Sequence, residues 1–227
     1  LDALEVALVT VPHEVIVVDD DSPDRTWERA ERYAESHRNV RVLRRFSDHG
    51  LSSAVMAGME ASNGEVIAVI DADLQHDETA LVAMVDMIRD GSADIVVGTR
   101  GAEGGSYGDW SVFRRFVSWV AAMIAKVFLR VQTSDPMSGF FAISRDAYLR
   151  SAPEVNPRGF KILLEFIGRN RDLRVGEVGY EFRNRVAGET KMSPSIIRSY
   201  LLAVFELRFG RQVKGQFFLY SLVGASG

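Results

Sequence analysis

The sequence predicts one large α/β domain, with a mainly parallel sheet and helices on both faces. The chain has 227 residues and is 47% hydrophobic, which is enough to bury a full core. Several short apolar runs lack polar alternation, as do strands covered on both faces. These runs alternate with segments of helical periodicity, the pattern of a sheet covered by helices.

Helices and strands are expected to alternate along the chain. Ser22 is expected to cap the second helix, with Pro23 in its first position. The predicted helices cover residues 1–11, 23–34, 52–61, the segment between Asp77 and Gly91, and residues 161–170. The predicted strands cover residues 14–18, 40–44, 66–70 and 94–99, a segment through Ile143, and residues 175–182.

Composition excludes several classes of function. A formal net charge of -4 argues against a general nucleic-acid-binding protein. The chain has no cysteine, which excludes disulfides and zinc–thiolate sites. No apolar stretch within it reaches the ~20 residues that cross a bilayer.

The segment 65–77, EVIAVIDADLQHD, is the centre of the predicted site. Its apolar run predicts a strand buried on both faces, and alternate residues of an extended chain point the same way. Three polar side chains are therefore expected to converge: Asp71, Asp73 and Gln75. Their oxygens suit Mg²⁺ or Mn²⁺, with a substrate diphosphate completing the coordination. The alternative is an acidic turn in which Asp73 or Asp77 only caps the next helix.

A second acidic cluster, Asp19, Asp20 and Asp21, follows the strand over residues 14–18. Three consecutive carboxylates repel one another, so we expect ligand donors such as a base N–H or ribose hydroxyls to hold some of them. Ligands in open α/β sheets gather at the carboxyl ends of the strands, which is where both clusters lie. The alternative is ordinary helix-start chemistry.

Two further segments suggest a membrane surface. Residues 110–130 form a predicted cationic amphipathic helix, preceded by a glycine-rich loop over residues 101–108 that suits a mobile flap. The alternative is a helix docked on the protein's own sheet. Residues 193–227 predict amphipathic juxtamembrane helices, with basic residues before an apolar run over 216–225. We expect the natural chain to continue from there into a membrane domain.

Six motifs carry a resemblance to a known family. VDDDSPD, HGLSSA, DADLQHD, GTR, DPMSGF and RVAGETKMS occur in the order and rough spacing of family 2 glycosyltransferases with the GT-A fold. The sequence most resembles the polyprenyl-phosphate sugar transferases, the dolichol-phosphate mannose synthase group. Asp21 replaces a glycine, Asp77 stands where the family usually has proline, and Thr190 replaces a serine. The family's first strand would lie upstream of Leu1.

The resemblance implies a metal-dependent, inverting transfer of one sugar from GDP-mannose or UDP-glucose to a polyprenyl or dolichyl phosphate. It implies a GT-A catalytic domain over residues 1–192, on a membrane-associated protein whose active site faces the cytoplasm. Together with the local patterns, it indicates catalytic roles for Asp73 and Arg185, donor-nucleotide binding by Asp19 and Asp20, acceptor-phosphate binding by Arg100, Arg114, Ser118, Arg185 and Lys191, and metal binding by Asp71, Asp73 and Gln75. A catalytic role for Asp135 is implied by the resemblance alone, because its local pattern is that of an Asp–Pro turn.

A phosphate acceptor is already anionic, so the reaction needs no strong general base. His49 and His76 are therefore expected to orient other groups rather than to remove a proton. Glu165 is expected to face the centre of the domain, as a partner for a sugar hydroxyl or an arginine. Two alternative functions remain open at this point: a family 2 enzyme that extends a glycan, and a non-catalytic subunit that binds nucleotides or lipids.

Overall fold

The structure, a computed structural model, describes residues 1–100, 123–124, 133–157, 162–183, 204–205 and 207–208. In chain order the elements are α1 (Asp2–Ala7), β1 (Val15–Asp19), α2 (Thr26–Ala34), β2 (Val40–Arg44), α3 (Leu51–Ala61), β3 (Val66–Val69), α4 (Ala80–Arg89), β4 (Ile95–Thr99), β5 (Phe141–Ser144), α5 (Arg145–Ser151), a 3₁₀ turn (Ala152–Glu154), α6 (Ile162–Arg169) and β6 (Val175–Gly179). The predicted alternation of helices and strands is confirmed for these residues.

The strands form a parallel pair, β1–β2, and a four-stranded sheet in the order β3-β5-β4-β6. In the larger sheet β3, β4 and β6 share one direction, while β5 runs antiparallel to both of its neighbours. The reason lies in the turn before β5, where the Ser134 hydroxyl oxygen is 2.6 Å from that of Thr99 at the end of β4. The chain enters β5 at this edge of the sheet and runs back across it.

Helices cover both faces of the four-stranded sheet. Ile95 and Val97 of β4 pack on one face in a cluster with α6 residues such as Leu163. Val96, between them, points to the other face and packs with Met84 of α4. This alternation is the period of a strand whose two faces are both buried. The expected α/β layering is therefore confirmed.

The prediction that the apolar strands are buried on both faces is confirmed for β4 and wrong for β3. Every residue of β4 is buried, whereas Ala68 of β3 is exposed. The difference follows from sheet position, because β4 lies between β5 and β6, while β3 pairs only with β5 among the described strands. The strand that precedes the predicted metal ligands is thus at the rim of this sheet.

The predicted N-cap of α2 is wrong. The backbone N–H of Ser22 donates to the Asp19 carboxylate at 2.7 Å, so Ser22 belongs to the turn after β1. Helix α2 begins later, at Thr26, whose N–H and hydroxyl both donate to Asp24. The residue before Thr26, Arg25, has a left-handed backbone with φ of 59°. Asp24 therefore organises the helix start that the sequence assigned to Ser22.

The predicted membrane-facing helices over 110–130 and 193–227 lie outside the described residues, except for the short pieces named above. In those pieces Ile124 packs against the core and Val204 is buried within it. No helix in the described parts of the chain is both long and apolar enough to cross a membrane.

Candidate active site

The acidic segment after β3 is a turn and does not continue as a strand. Leu74 has a left-handed backbone with φ of 61°, and the Gln75 N–H donates to the Asp73 carboxylate at 3.1 Å. The argument that alternate side chains converge on an extended chain is therefore wrong for this segment. Asp71 and Asp73 still lie in one short turn, but the turn and not strand alternation sets their directions.

Gln75 is buried and joins this turn to the chain leaving β6. Its side-chain nitrogen donates to the Arg183 carbonyl at 3.3 Å, and the Arg183 N–H donates to the Gln75 carbonyl at 2.9 Å. The Arg183 guanidinium also pairs with Asp77 at 3.1 Å and with Glu78 at 2.9 Å. Asp77, expected to cap α4, thus helps to fasten the two segments and also accepts from the N–H and hydroxyl of Thr79 just before the helix.

Asp71 is held between a glycine and a histidine. A side-chain carbon added to Gly139 would lie 2.3 Å from one Asp71 oxygen, so the glycine permits a contact that another residue would prevent. The same oxygen lies 3.5 Å from Nε2 of His76. The Asp71 side chain keeps 37% of its surface exposed and can therefore still reach a ligand.

An aromatic cluster lies beneath His76. The imidazole is buried, with Nδ1 2.7 Å from the hydroxyl of Tyr180, and its ring contacts those of Phe140, Tyr180 and Phe182. Burial raises the pKa of Tyr180 well above its ordinary value, so the phenol stays protonated over the physiological range. The expected orienting character of His76 fits its fixed position in this cluster.

Arg100 and Asp135 form a buried ion pair near the same cluster. Nε of Arg100 donates to Asp135 at 3.0 Å, and the side chains are 12% and 11% exposed. The guanidinium also lies over the ring of Phe182, 4.9 Å from its centroid. The sequence assigned Arg100 to the acceptor phosphate and Asp135 to catalysis. The structure brings these two residues together, and in it Asp135 orients Arg100.

The acidic cluster after β1 is held by groups of the protein itself. Asp19 is buried and accepts from Ser22, as described above. Asp20 accepts from the Gly50 N–H at 2.7 Å and pairs with Nε of Arg45 at 3.3 Å. Asp21 pairs with Arg44, whose guanidinium lies 3.5 Å from the Trp27 ring centroid. Each of the three adjacent carboxylates therefore already has a partner within the protein.

Sequence reasoning missed Arg44 and Arg45, although a signal was present. Arg44 is the last residue of β2 and Arg45 follows it; β2 pairs in parallel with β1 and places Arg44 opposite Asp19. Parallel neighbours bring their carboxyl ends to one edge, so a basic pair ending one strand was a natural partner for an acidic run ending the other. The roles of Asp19 and Asp20 in nucleotide binding stay predictions.

The remaining predicted residues divide into two groups. Glu165 is buried and accepts from Arg169 at 2.5 Å and from the Asn156 N–H at 3.1 Å, so its expected arginine partner is confirmed. His49 is exposed. Four predicted phosphate-binding residues lie outside the described residues: Arg114, Ser118, Arg185 and Lys191.

The turn suits a divalent cation only in combination with a ligand. Asp71 and Asp73 offer hard carboxylate oxygens, the donors that Mg²⁺ and Mn²⁺ prefer. No group of three His, Cys, Asp or Glu side chains with metal-site geometry occurs in the described parts of the chain. Such an arrangement fits a cation that takes a few protein oxygens and completes its coordination with substrate phosphates and water.

An acidic turn and a largely buried arginine lie at the carboxyl ends of parallel strands, which is the edge where α/β proteins of this class bind their ligands. The fold resembles that of glucosyl-3-phosphoglycerate synthase from Mycobacterium tuberculosis, solved with Mn²⁺, UDP-glucose and phosphoglyceric acid. The TM-score is 0.64 at 16% identity, covering 92% of this chain and 74% of that one. The chain therefore has the GT-A fold.

Residues 9–150 match Glycosyl transferase family 2, and the chain belongs to this family. It is 38% identical over 223 residues to a dolichol-phosphate mannosyltransferase of Pyrococcus furiosus, covering 97% of this chain and 62% of that relative. It is also 38% identical over 201 residues to a dolichol-phosphate mannosyltransferase of Saccharomyces cerevisiae, covering 86% of this chain and 74% of that relative. The chain thus spans under two thirds of the first relative's length.

Proposed function

We propose that this chain is the catalytic domain of a metal-dependent, inverting transferase that moves one mannose from a nucleotide-diphosphate sugar to a polyprenyl phosphate. The observation that carries the proposal is the 38% identity to two dolichol-phosphate mannosyltransferases. The match to the first of them covers 97% of this chain. Both predicted donors, GDP-mannose and UDP-glucose, stay candidates, and the relatives' names favour mannose.

The geometry supports the two halves of this reaction. Asp71, Asp73, Arg100 and Asp135 all lie near enough to the Tyr180 hydroxyl to act on it electrostatically. An acidic turn and a largely buried cationic group are therefore close to one small region. Such a region can receive a metal-bound diphosphate beside an anionic acceptor.

In the proposed mechanism Asp71 and Asp73, with Gln75 as the predicted third donor, would hold Mg²⁺ or Mn²⁺, which would supply positive charge to stabilise the departing diphosphate. Arg100, fixed by Asp135, orients the acceptor phosphate, with Arg114, Ser118, Arg185 and Lys191 as predicted further contacts. A phosphate oxygen forms its bond to the anomeric carbon while the bond from that carbon to the diphosphate breaks. The nucleoside diphosphate leaves, and this single displacement inverts the anomeric centre.

Membrane association belongs to the same proposal. A polyprenyl acceptor is embedded in a bilayer, so the catalytic domain must work at its surface. The segment over residues 110–130, which the sequence predicts to be a basic amphipathic helix, would supply the chemistry for such a surface, with cations for anionic headgroups and apolar side chains for the lipid. We place the active site on the cytoplasmic side, where nucleotide sugars are available.

The proposal is tested by transfer of labelled mannose to a short polyprenyl phosphate, with Mn²⁺ or with chelator. Asp71→Asn should lose at least about 100-fold in rate, the scale on which removal of a charge-stabilising group acts. Asp86→Asn, an exposed aspartate on α4, is the matched control and should keep wild-type activity. Equal activity of both variants, or activity that survives chelation, would refute the assigned metal site.

A further inference from the structure

A short series of polar contacts leads from the core to the edge of the site. The Tyr180 hydroxyl contacts Nδ1 of His76 at 2.7 Å, and Nε2 of the same ring faces Asp71 at 3.5 Å. Tyr180 and His76 are 3% and 6% exposed, whereas Asp71 is partly open to solvent. The imidazole therefore connects a fixed phenol to the carboxylate that we assign to the metal.

The contacts have a defined direction. An ionised carboxylate can only accept hydrogen bonds, so the ring nitrogen facing Asp71 must carry a hydrogen. In a neutral imidazole the other nitrogen, Nδ1, is then an acceptor, and its donor must be the hydroxyl of Tyr180. A protonated phenol is what this buried position maintains. Tyr180 thus selects the tautomer of His76, and His76 presents a hydrogen-bond donor to Asp71.

We propose that His76 and Tyr180 are positioning residues that hold Asp71 in the orientation needed to bind the divalent cation; this inference rests on the proposed function. Gly139 supports the carboxylate from another side, so Asp71 is confined between a backbone and a hydrogen-bond donor. Outer contacts that fix a ligand's orientation typically change metal affinity by about 10–100-fold. Neither His76 nor Tyr180 needs to touch the substrate to have this effect.

Two substitutions of His76 separate positioning from packing. In His76→Gln the amide nitrogen can occupy the place of Nε2 and still donate to Asp71. In His76→Asn the shorter amide replaces Nδ1, keeps a partner for Tyr180 and loses the contact with Asp71. We expect Mn²⁺ to bind about 10-fold more weakly to His76→Asn, and His76→Gln to stay within about 3-fold of wild type. Mn²⁺ affinity is measured by electron paramagnetic resonance, with GDP or UDP present, on the whole chain.

A spectroscopic readout tests the same inference without relying on those variants. The ¹⁵N chemical shifts of the His76 ring should report a hydrogen on Nε2. In Tyr180→Phe, which keeps the aromatic ring but lacks the donor, they should report a mixture of tautomers. A wild-type ring protonated at Nδ1, or equal Mn²⁺ affinity for His76→Gln and His76→Asn, would overturn the inference.

The outcome for the proposed function is separate. Wild-type protein that transfers mannose with Mn²⁺, while both His76 variants bind Mn²⁺ alike, would refute the positioning roles and leave the function intact. Wild-type protein that binds no Mn²⁺ with either nucleotide would refute the metal role of Asp71, and the positioning of a metal ligand would fall with it.

Discussion

The side-chain amide of Gln75 donates a hydrogen bond to the backbone carbonyl of Arg183, and the Arg183 N–H donates to the backbone carbonyl of Gln75. These reciprocal bonds join segments that are 108 residues apart. One segment carries the proposed metal ligands Asp71 and Asp73. The other leads into residues 184–191, where the sequence predicts the phosphate-binding Arg185 and Lys191. The two parts of the proposed site are thus connected through the backbone.

The ion pair between Arg183 and Glu78 should make a small but measurable contribution to stability. Arg183→Gln and Glu78→Gln should each lower the free energy of unfolding by about 0.5 kcal/mol, because the arginine side chain is 46% exposed and solvent screens the pair. In a double-mutant cycle by urea unfolding, the double variant should lose less than the sum of the single variants. Strict additivity would show that the pair does not couple the two segments.

Gly139→Ala should damage the site more than the fold. The new methyl group would overlap an Asp71 oxygen and force the carboxylate to move. We expect about a 10–100-fold loss of metal-dependent transfer, as for other changes that displace a ligand. Gly176→Ala on β6 is the control, because its methyl group would crowd Met87 and Ala93 away from the site and so reports the cost of a tight methyl group to the fold alone. Comparable transfer rates for the two variants would contradict the close contact at Gly139.

Arg100→Lys should weaken the use of the acceptor and spare the donor. Lysine keeps the charge but loses the planar contacts that Arg100 makes with Asp135 and Phe182. We expect the KM for polyprenyl phosphate to rise about 10-fold, the scale of one charge-assisted hydrogen bond, with an unchanged KM for the donor. Arg174→Lys is the control, since Arg174 pairs with Asp94 just before β4. A donor KM that rises equally would place Arg100 on the donor side.

Tyr180 should make the fold sensitive to high pH. Burial raises its pKa in the folded state above the ordinary value of 10.0. Above pH 10 the phenol loses its proton in the unfolded state but keeps it in the folded state. This deprotonation lowers the free energy of the unfolded state, so the stability of the fold decreases as the pH rises. The free energy of unfolding should therefore decline as the pH rises above about 10, and less steeply in Tyr180→Phe. An equal decrease in the free energy of unfolding in both proteins would contradict a raised pKa of Tyr180.

Apolar runs predicted much of the fold because burial on a sheet leaves a strong local pattern. The run over β4 is apolar on both faces and is buried on both faces. The same pattern at β3 led to a wrong prediction of full burial. The order of strands in a sheet depends on contacts far apart in the sequence, and β3 lies at the rim of its sheet. The antiparallel direction of β5 was also beyond the local pattern, since it follows from the contact between Thr99 and Ser134, 35 residues apart.

The sequence predicted which residues belong to the candidate site better than it predicted which residues contact one another. The residues of the acidic turn and Arg100 could be found from strand ends, but the partner of Arg100 could not. Local sequence holds no trace of a carboxylate 35 positions away, such as Asp135. The left-handed Leu74 is a similar case, because leucine gives no sign of a conformation that favours glycine.

Sugar transfer to a lipid phosphate tests the central claim most directly. The protein would be given labelled GDP-mannose and UDP-glucose in parallel, with a short polyprenyl phosphate or an oligosaccharide acceptor, and with Mn²⁺ or chelator. We predict mannosyl lipid phosphate that forms from one nucleotide donor only when metal is present, and no extension of the oligosaccharide. Extension of the oligosaccharide without any lipid product would instead indicate a glycan-extending enzyme. Donor binding without any transfer would indicate a non-catalytic subunit, and either result would contradict the proposed function.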